Sequence, residues 1–314
     1  MSWFDRNTHH WDEWSLASLL EARGDQRVSL VVPARNEAAT VGDVVTRVRE
    51  ALVDTVALLD EIVVIDSDST DDTYAVATGA GAVVHRSAEI RPDLGSVPGK
   101  GEAMWKSLFV TSGDVLVFMD ADLVEWDTHF VPGLLGPLLT RPEVALVKGF
   151  YERPLLVGEG AGAYDGGRVT ELVARPLIAL AYPSLSGLVQ PLAGEWAVRR
   201  SLFESLSVPT GYAVELAALV DTLAVRGLDA IAQVDLGRRA HRHQELLDLG
   251  AMATQILGAM RDRGMDPGLR DGRSSTTEDR TVTLRQYRPG AGRIAPTDRA
   301  VPLSERPPAS SVAR

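Results

Sequence analysis

Short apolar runs alternate with amphipathic stretches through the first part of the chain. Each run is bounded by Gly, Pro or Asp and is short enough to favour a buried strand over a buried helix. The predicted strands lie at 28–32, 61–65, 82–85 and 116–119. Helices are predicted between them at about 39–52, from about residue 72, and at 100–110. This alternation predicts an α/β fold in which helices flank a mostly parallel sheet.

The last of these strands ends in two carboxylates one residue apart, Asp120 and Asp122. In open α/β sheets the ligand binds at the carboxyl ends of the strands. Two hard oxygen ligands at that edge suit Mg²⁺ or Mn²⁺, which proteins usually hold with one or two carboxylates plus substrate phosphates. An isolated Asp-x-Asp pair is equally typical of a turn, so the prediction depends on the surrounding pattern.

Polar turns follow the other strands at the same edge of the predicted sheet. Pro33–Glu37 follows the first strand, where a nucleotide base or ribose would lie, and Ser67 follows the second. Asn36 and Glu37 could equally cap the next helix. Lys100 lies between two glycines at a helix start, where it could reach a diphosphate or simply face solvent. The residues alone leave these alternatives open.

A glycine-rich loop at 158–168 follows a predicted strand at 144–151 and precedes a helix that runs to about residue 181. Arg168 and the amides of the neighbouring glycines could grip a phosphate or a carboxylate at the start of that helix. A solvated loop with Thr170 as the helix cap explains the same residues equally well.

Two more elements are predicted further along the chain. One is a helix that opens near Tyr212, carries Glu215 at its start and ends near residue 227. The other is a buried strand at 229–235, which leads into the basic run 238–243. That run either adds positive charge to a site or forms a solvated surface.

The last fifty or so residues, from about 264, are rich in Gly, Pro, Ser, Thr and Arg. That composition is typical of loop or disorder. Residues 280–287 are the exception, because polar and apolar side chains alternate there as in an exposed strand. We expect this strand to pair with the chain's own sheet or with the edge of a partner chain.

Composition and charge exclude several classes of protein. The chain has 314 residues, a net charge of −11 and no cysteine, which argues against a nucleic-acid partner and excludes disulfides and zinc–thiolate sites. We expect no transmembrane helix, because no apolar run approaches about 18 residues. The acidic N-terminus lacks the apolar core of a signal peptide. A cytoplasmic protein with no membrane partner is therefore predicted.

Four sequence blocks in the first part of the chain carry a family resemblance. VVPARNE, VVIDSDSTDDT, GKGEAMW and VFMDADL occur in this order within residues 28–125. Together they resemble the nucleotide-sugar glycosyltransferases of the GT-A fold. No G-x-G-x-x-G or P-loop motif is present, which counts against a dinucleotide oxidoreductase and a P-loop NTPase.

Blocks in the second part narrow the resemblance. YERPL, GGRVTELVARPL, QPLAGEWAVRR, GYAVELAAL and RAHRHQ are similar to the glucosyl-3-phosphoglycerate synthases of actinobacteria and, less closely, to mannosyl-3-phosphoglycerate synthases. The resemblance covers about residues 1–262. It implies a homodimeric enzyme that uses Mg²⁺ or Mn²⁺. The implied reaction transfers glucose, with retention, from a nucleoside diphosphate glucose, expected to be UDP-glucose, to the 2-hydroxyl of D-3-phosphoglycerate. That product leads towards glucosylglycerate or methylglucose polysaccharide.

The resemblance also implies roles for individual residues, matched by motif. The nucleotide-sugar site comprises Pro33, Ala34, Arg35, Asn36, Glu37, Ser67, Lys100, Asp120, Ala121, Asp122, Tyr212 and Arg239. The acceptor site comprises Gly167, Arg168, Thr170, His241 and His243. The metal ligands are Asp122 and His241, and the catalytic set is Asp122, Lys100, Glu215 and Arg168. His243 stands where relatives are expected to carry Asn. Glu215 could orient sugar hydroxyls or merely interact with the helix dipole.

The resemblance divides the chain into three parts and leaves three alternatives. Residues 1–125 form the nucleotide-sugar-binding half, 126–263 the acceptor-binding half of the same GT-A domain, and 264–314 a partly disordered extension. The alternatives are a mannosyl-3-phosphoglycerate synthase, a polyprenyl-phosphate sugar transferase and a non-catalytic nucleotide-sugar binding protein.

Overall fold

The computed structural model of the protein describes a nearly continuous chain with five gaps. The described residues are 1–152, 167–239, 246–264, 281–290, 293–302 and 304–312. The strands are β1 (Thr8–His10), β2 (Val28–Ala34), β3 (Glu61–Asp66), β4 (Val83–Arg86), β5 (Val115–Phe118), β6 (Leu146–Glu152), β7 (Trp196–Arg199), β8 (Val208–Pro209), β9 (Ile231–Arg238), β10 (Thr281–Gly290), β11 (Arg293–Pro302) and β12 (Glu305–Arg306).

Ten α-helices lie within the described ranges. They are α1 (Trp3–Asn7), α2 (Leu16–Arg23), α3 (Val41–Arg49), α4 (Thr73–Gly79), α5 (Lys100–Ser107), α6 (Phe130–Thr140), α7 (Arg175–Ala181), α8 (Arg200–Phe203), α9 (Val214–Arg226) and α10 (Leu246–Asp262). Wider π-type turns at Glu50–Thr55 and Thr170–Ala174 adjoin α3 and α7. Among the described helices, none is both long and apolar enough to cross a membrane.

The main sheet has eight strands in the order β1-β9-β6-β7-β5-β2-β3-β4. Neighbouring strands are parallel except at β7, which runs antiparallel to both β5 and β6. The parallel βα units of the first part confirm the α/β fold predicted from the alternation of apolar runs. The sheet draws strands from both sides of residue 125, as expected for two halves of one domain. The boundary at residue 125 itself stays a prediction.

Helices cover both faces of the sheet, so its central strands are buried on both sides. All four residues of β5 are buried. In β2, Val31 faces one core, while Leu30 and Val32 face the other, because successive strand residues point to opposite faces. Burial on both faces explains why these strands are continuous apolar runs rather than alternating ones.

Two elements of the main sheet lie outside the predicted set. The strand β1 pairs with β9, so the N-terminal segment forms one edge of the sheet beside the second half of the chain. The strand β7 lies between β5 and β6. Its residues Trp196, Ala197 and Val198 are fully buried, a pattern that is equally compatible with a buried helix, and so the sequence did not distinguish the two.

The strand predicted in the C-terminal tail is present as β10 (Thr281–Gly290), but its partner was not predicted. The strand β10 pairs antiparallel with β11, so the alternating stretch pairs with the segment that follows it and not with the main sheet. The strand β12 pairs with β8. Arg306 donates to both carboxylate oxygens of Glu102 at 2.7 and 2.8 Å, and the Trp105 indole donates to the carbonyl of Pro307 at 3.0 Å. Residues 304–312 are therefore fixed on α5 by contacts that composition cannot reveal.

Candidate active site

Charged side chains from three elements meet at the carboxyl end of β5. Asp120 follows β5, Lys100 is the first residue of α5, and Glu215 lies in the first turn of α9. The Lys100 ammonium lies 2.6 Å from Asp120 Oδ1 and 2.8 Å from Glu215 Oε1. Burial disfavours the ammonium, but the two carboxylates outweigh it and raise the pKa of Lys100 above its ordinary value. Lys100 therefore forms two ion pairs at the carboxyl end of the sheet and is not an exposed surface lysine.

Glycines allow α5 to begin at this position. A Cβ on Gly101 would lie 1.9 Å from the carbonyl oxygen of Pro209, and a Cβ on Gly99 would lie 2.1 Å from that of Thr210. Both distances are far below any real contact, so the helix start needs glycine on each side of Lys100. The motif around Lys100 thus has a packing reason in addition to any role with ligand.

Arg239 joins the two carboxylates of the Asp-x-Asp pair. It follows β9, is almost fully buried, and one of its terminal nitrogens lies 3.1 Å from Asp120 Oδ2 and 3.0 Å from Asp122 Oδ1. Its other terminal nitrogen lies 2.9 Å from Glu195 Oε2. Burial would favour the neutral acid at Asp120, yet Lys100 and Arg239 hold the pKa of that carboxyl well below its usual range. Asp120 is therefore a permanently charged bridge between two cations.

Asp122 differs from Asp120 in having room for a ligand. Its side chain is 35% exposed, and within the described residues its Oδ1 is the oxygen that Arg239 engages. A partly exposed carboxylate fits Mg²⁺ or Mn²⁺, which take one or two protein carboxylates together with phosphate oxygens. Among the described residues no three metal-binding side chains cluster, so a metal here would need ligands from the substrate or from elsewhere in the chain.

The turns after β2 and β3 are bonded to each other. Asn36 has a positive φ of 56°, a conformation that Asn adopts more easily than most residues. Its side-chain oxygen accepts from the Thr70 backbone amide at 2.8 Å, and the Asn36 backbone amide donates to Ser69 Oγ at 2.9 Å. Within the described residues no side chain caps α3, and it is the Glu37 backbone carbonyl that accepts from the Val41 amide at 2.9 Å.

The other predicted donor residues lie beside these turns. Pro33 and Ala34 are the last residues of β2, while Arg35 is exposed. The Ser67 amide donates to the Ala34 carbonyl at 2.8 Å, which ties the ends of β2 and β3 together. Tyr212 is 41% exposed and precedes α9, which carries Glu215. Ala121 is buried between the two aspartates. Their roles with a nucleotide stay predictions.

The predicted acceptor residues lie at one helix start, as far as they are described. Gly167 has a φ of +89°, a conformation that favours glycine, and its carbonyl accepts from the Glu171 amide at 3.1 Å. Thr170 is buried in the turn that leads into α7, and Arg168 is half-buried. His241 and His243 lie outside the described residues, so the predicted second metal ligand is not placed.

Glu195 and Tyr151, which the sequence patterns did not indicate as site residues, bind Arg239 of the charged cluster. Glu195 is fully buried and accepts from the Tyr151 hydroxyl at 2.7 Å and from Arg239. Tyr151 in turn accepts from Arg239 at 2.7 Å. A Cβ on Gly194 would lie 2.2 Å from Asp120 Oδ2. The acidic residue in the block QPLAGEW, between apolar neighbours, was the available signal of a buried carboxylate.

Comparison with known proteins extends these observations. Residues 29–159 match Glycosyl transferase family 2. The chain is 44% identical to glucosyl-3-phosphoglycerate synthase of Mycolicibacterium smegmatis over 307 residues, which cover 97% of this chain and 96% of that protein. It is also 44% identical to the protein of that name from Petrotoga mobilis over 253 residues, covering 80% and 78% of the two chains.

Solved structures agree in fold over the whole length. Glucosyl-3-phosphoglycerate synthase of Mycobacterium tuberculosis, solved with Mn²⁺, uridine diphosphate and phosphoglyceric acid, superposes with a TM-score of 0.85 at 41% identity. The match covers 98% of this chain and 99% of that one. The same enzyme with Mn²⁺ and UDP-glucose gives a TM-score of 0.83. The similarity thus extends through the tail, beyond the quoted motifs, and the chain belongs to the glucosyl-3-phosphoglycerate synthase family within Glycosyl transferase family 2.

Proposed function

We propose that this protein transfers the glucosyl group of UDP-glucose to the 2-hydroxyl of D-3-phosphoglycerate, with retention and with Mg²⁺ or Mn²⁺. The observation that carries the proposal is the end-to-end match to an enzyme whose solved complexes hold Mn²⁺, uridine diphosphate or UDP-glucose, and phosphoglyceric acid. The relatives named above are glucosyl enzymes, which favours glucose over the mannosyl alternative.

The charged cluster suits the donor half of this reaction. The bond between the anomeric carbon and the diphosphate breaks, and a bond from that carbon to the acceptor oxygen forms, while the hydroxyl proton leaves with the diphosphate or to solvent. Lys100 would meet the negative charge that develops on the leaving diphosphate. Its two bonds to carboxylates keep it in place before substrate arrives.

A divalent metal held by Asp122 and diphosphate oxygens would act as a Lewis acid towards the leaving group. The structure supports Asp122 over Asp120 for this role, because both oxygens of Asp120 are already engaged by Lys100 and Arg239. His241 stays a proposed second ligand on the strength of its motif alone.

The acceptor is a small trianion, so its site needs positive charge and hydrogen-bond donors. Arg168 offers a forked guanidinium, Thr170 a hydroxyl, and Gly167 a backbone conformation that only glycine adopts easily. We assign the acceptor to these residues, with His241 and His243 as further contacts. Glu215 is already bonded to Lys100, which supports a role in orienting the sugar through a fixed carboxylate.

We also propose a homodimer and a cytoplasmic location. Leu172 and Leu180, on the turn and helix that follow Arg168, are 72% and 86% exposed. Two exposed large apolar side chains on adjoining elements are suited to burial by a second copy. Both proposed substrates are phosphorylated anions that do not cross a membrane unaided, which supports a location where they are made.

A donor-by-acceptor panel with the purified protein tests the function. We expect product with UDP-glucose and D-3-phosphoglycerate in the presence of Mg²⁺ or Mn²⁺, and loss of product with a chelator. Proton NMR of the product should show the α-anomeric coupling that retention requires. Turnover with a polyprenyl phosphate but not with phosphoglycerate, or tight nucleotide binding with no turnover, would each favour an alternative and contradict the proposal.

A further inference from the structure

The loop 188–195 is buried although it has no regular secondary structure. It connects the short 3₁₀ turn Pro183–Gly187 to β7, and most of its residues are buried. A buried loop must have its amides and carbonyls paired, since water is not available to pair them. Several of these partners are side chains or backbone groups of the main sheet.

The first end of the loop is fixed by two glutamines. Gln233 of β9 accepts from the Val189 amide at 2.8 Å and donates to the Gly187 carbonyl at 3.0 Å. The Gln190 side chain bonds back to the amide and carbonyl of Tyr151 in β6. Arg175 also donates to the Val189 carbonyl at 2.8 Å, so charged and uncharged side chains together hold this part of the loop.

The second end of the loop is fixed by a lysine. Lys148 of β6 lies in register with Trp196 of β7 and Gln233 of β9. It is 1% exposed, and its ammonium donates to the carbonyl of Ala193. The ammonium also lies 5.5 Å from the centre of the Trp196 ring.

Lys148 is a costly residue at this position. No carboxylate forms an ion pair with it among the residues that the structure describes, although Glu215, Glu195 and Asp120 lie near enough to act on its charge, as does Lys100. Burial lowers the pKa of Lys148 to about 7. A buried cation without an ionic partner is unfavourable, and methionine would fill similar space without that cost. Such a residue close to the charged cluster is a candidate for a functional role.

The residues after Ala193 connect the loop to the charged cluster at the carboxyl end of β5. The Gly194 backbone lies directly against the Asp120 carboxylate, so closely that no side chain fits between them. Glu195 then bonds Arg239, which bonds both aspartates. A shift of the Ala193 carbonyl would therefore be transmitted to the Asp-x-Asp pair.

We propose that Lys148 is a positioning residue, whose ammonium anchors the Ala193 carbonyl and thereby holds Gly194 against Asp120 and Glu195 against Arg239. It acts through the loop and not on substrate. The inference rests on the proposed function for its kinetic consequence, but the anchoring itself can be measured without turnover.

The test compares Lys148→Met, which removes the donor, with Lys148→Gln, which keeps a donor without the charge. Hydrogen–deuterium exchange of peptides covering 188–195 should be roughly ten-fold or more faster in the Met variant, with Gln intermediate, because one bond to a charged donor is lost. Peptides from α6 serve as the internal control and should not change. Equal exchange in all three proteins would overturn the anchor.

The kinetic arm uses UDP-glucose, phosphoglycerate and Mn²⁺. We expect kcat of Lys148→Met to fall roughly ten- to a hundred-fold, with the KM for UDP-glucose nearly unchanged and partial recovery in Lys148→Gln. Faster exchange with unchanged kcat would overturn the positioning role. Equal loss of kcat in both variants would overturn it as well, because the donor that Lys148→Gln keeps would then have no effect. No transfer by the wild type would refute the proposed function, while the exchange result would still decide the anchor.

Discussion

The charged cluster at the carboxyl end of β5 and the neighbouring loop 188–195 each contain or contact a buried lysine. The surroundings of these two lysines shift their pKa values in opposite directions. Lys100 is paired with Asp120 and Glu215, and these carboxylates raise its pKa despite burial. Lys148 is bonded to a backbone carbonyl, and burial lowers its pKa to about 7. The charge of Lys100 is thus compensated by carboxylates before substrate arrives, whereas the described residues give the charge of Lys148 no carboxylate partner in contact.

The comparison indicates what each region is built to receive. Around the edge, Asp120, Asp122, Glu195 and Glu215 outnumber the paired cations Lys100 and Arg239. That acidic excess is suited to a divalent cation arriving with a diphosphate. Loop 188–195 contributes Glu195 to this set, whereas Val189 and Ala193 are held through their backbone amide and carbonyl groups. We expect substitutions at the edge to affect binding and chemistry, and those at the loop to affect geometry.

The largest effect is expected at the metal position. Asp122→Ala should lower turnover by roughly a thousand-fold or more, because a metal supplies several kcal/mol of charge stabilisation to the leaving group. Steady-state rates across a Mn²⁺ titration measure this. Asp127→Asn, an exposed aspartate bonded to Arg47, is the matched control. Near wild-type rates at saturating Mn²⁺ would remove Asp122 from the metal site.

The next largest effect is expected at Lys100. Lys100→Ala should weaken uridine diphosphate binding by roughly ten- to a hundred-fold, the loss expected for a bond between charged groups. Acceptor affinity should change less, because the predicted acceptor residues belong to a different part of the chain. Isothermal calorimetry in the presence of Mn²⁺ measures the affinity for uridine diphosphate. An unchanged affinity would mean that Lys100 serves its carboxylate partners alone.

A comparable or smaller effect is expected at Arg168. Arg168→Lys keeps the charge but loses the fork, so kcat/KM for phosphoglycerate should fall by roughly ten-fold, and by up to a hundred-fold in Arg168→Ala. Donor affinity should stay nearly constant. Kinetics with varied acceptor at saturating donor provide the measurement, and Arg226→Lys, on an exposed helix end, is the control. Equal efficiency in all variants would end the acceptor assignment.

A different measurement, the pH dependence of stability, distinguishes the two lysines. The folded state lowers the pKa of Lys148 from 10.5 to about 7, so the unfolded chain binds more protons between those values and stability rises with pH there. Relative to Lys148→Met, the wild type should gain up to about 1.4 kcal/mol per pH unit above about pH 7. Urea unfolding across this range measures the difference.

Lys100 should show no such slope. Its pKa is raised in the folded state, so it is charged in both states below its unfolded pKa and its contribution is constant there. Because Lys100 also acts on the charge of Lys148, this test is made in the Lys148→Met background. A pH-dependent difference near neutrality between Lys148→Met and the double variant Lys148→Met, Lys100→Ala would contradict the comparison, as would a flat difference between wild type and Lys148→Met.

The sequence by itself determined the local pattern around the site. Short apolar runs with polar exits predicted β2, β3, β4 and β5, because strand burial and turn chemistry depend on neighbouring residues. The same pattern placed Asp120 and Asp122 at a strand exit and Lys100 at a helix start. The order and spacing of the motifs also indicated the family, because together they reflect the arrangement of the whole site.

The tertiary structure alone decided which charges meet. Arg239 lies 119 residues from Asp120, Glu195 lies 44 residues from Tyr151, and Arg306 lies 204 residues from Glu102. No local pattern encodes such pairs, yet they determine whether a buried charge is compensated. The same holds for β7 and for the lysine that anchors loop 188–195. Local propensity fixes where a side chain leaves its element, whereas the free energy of a buried charge depends on partners that only folding brings within a few ångströms.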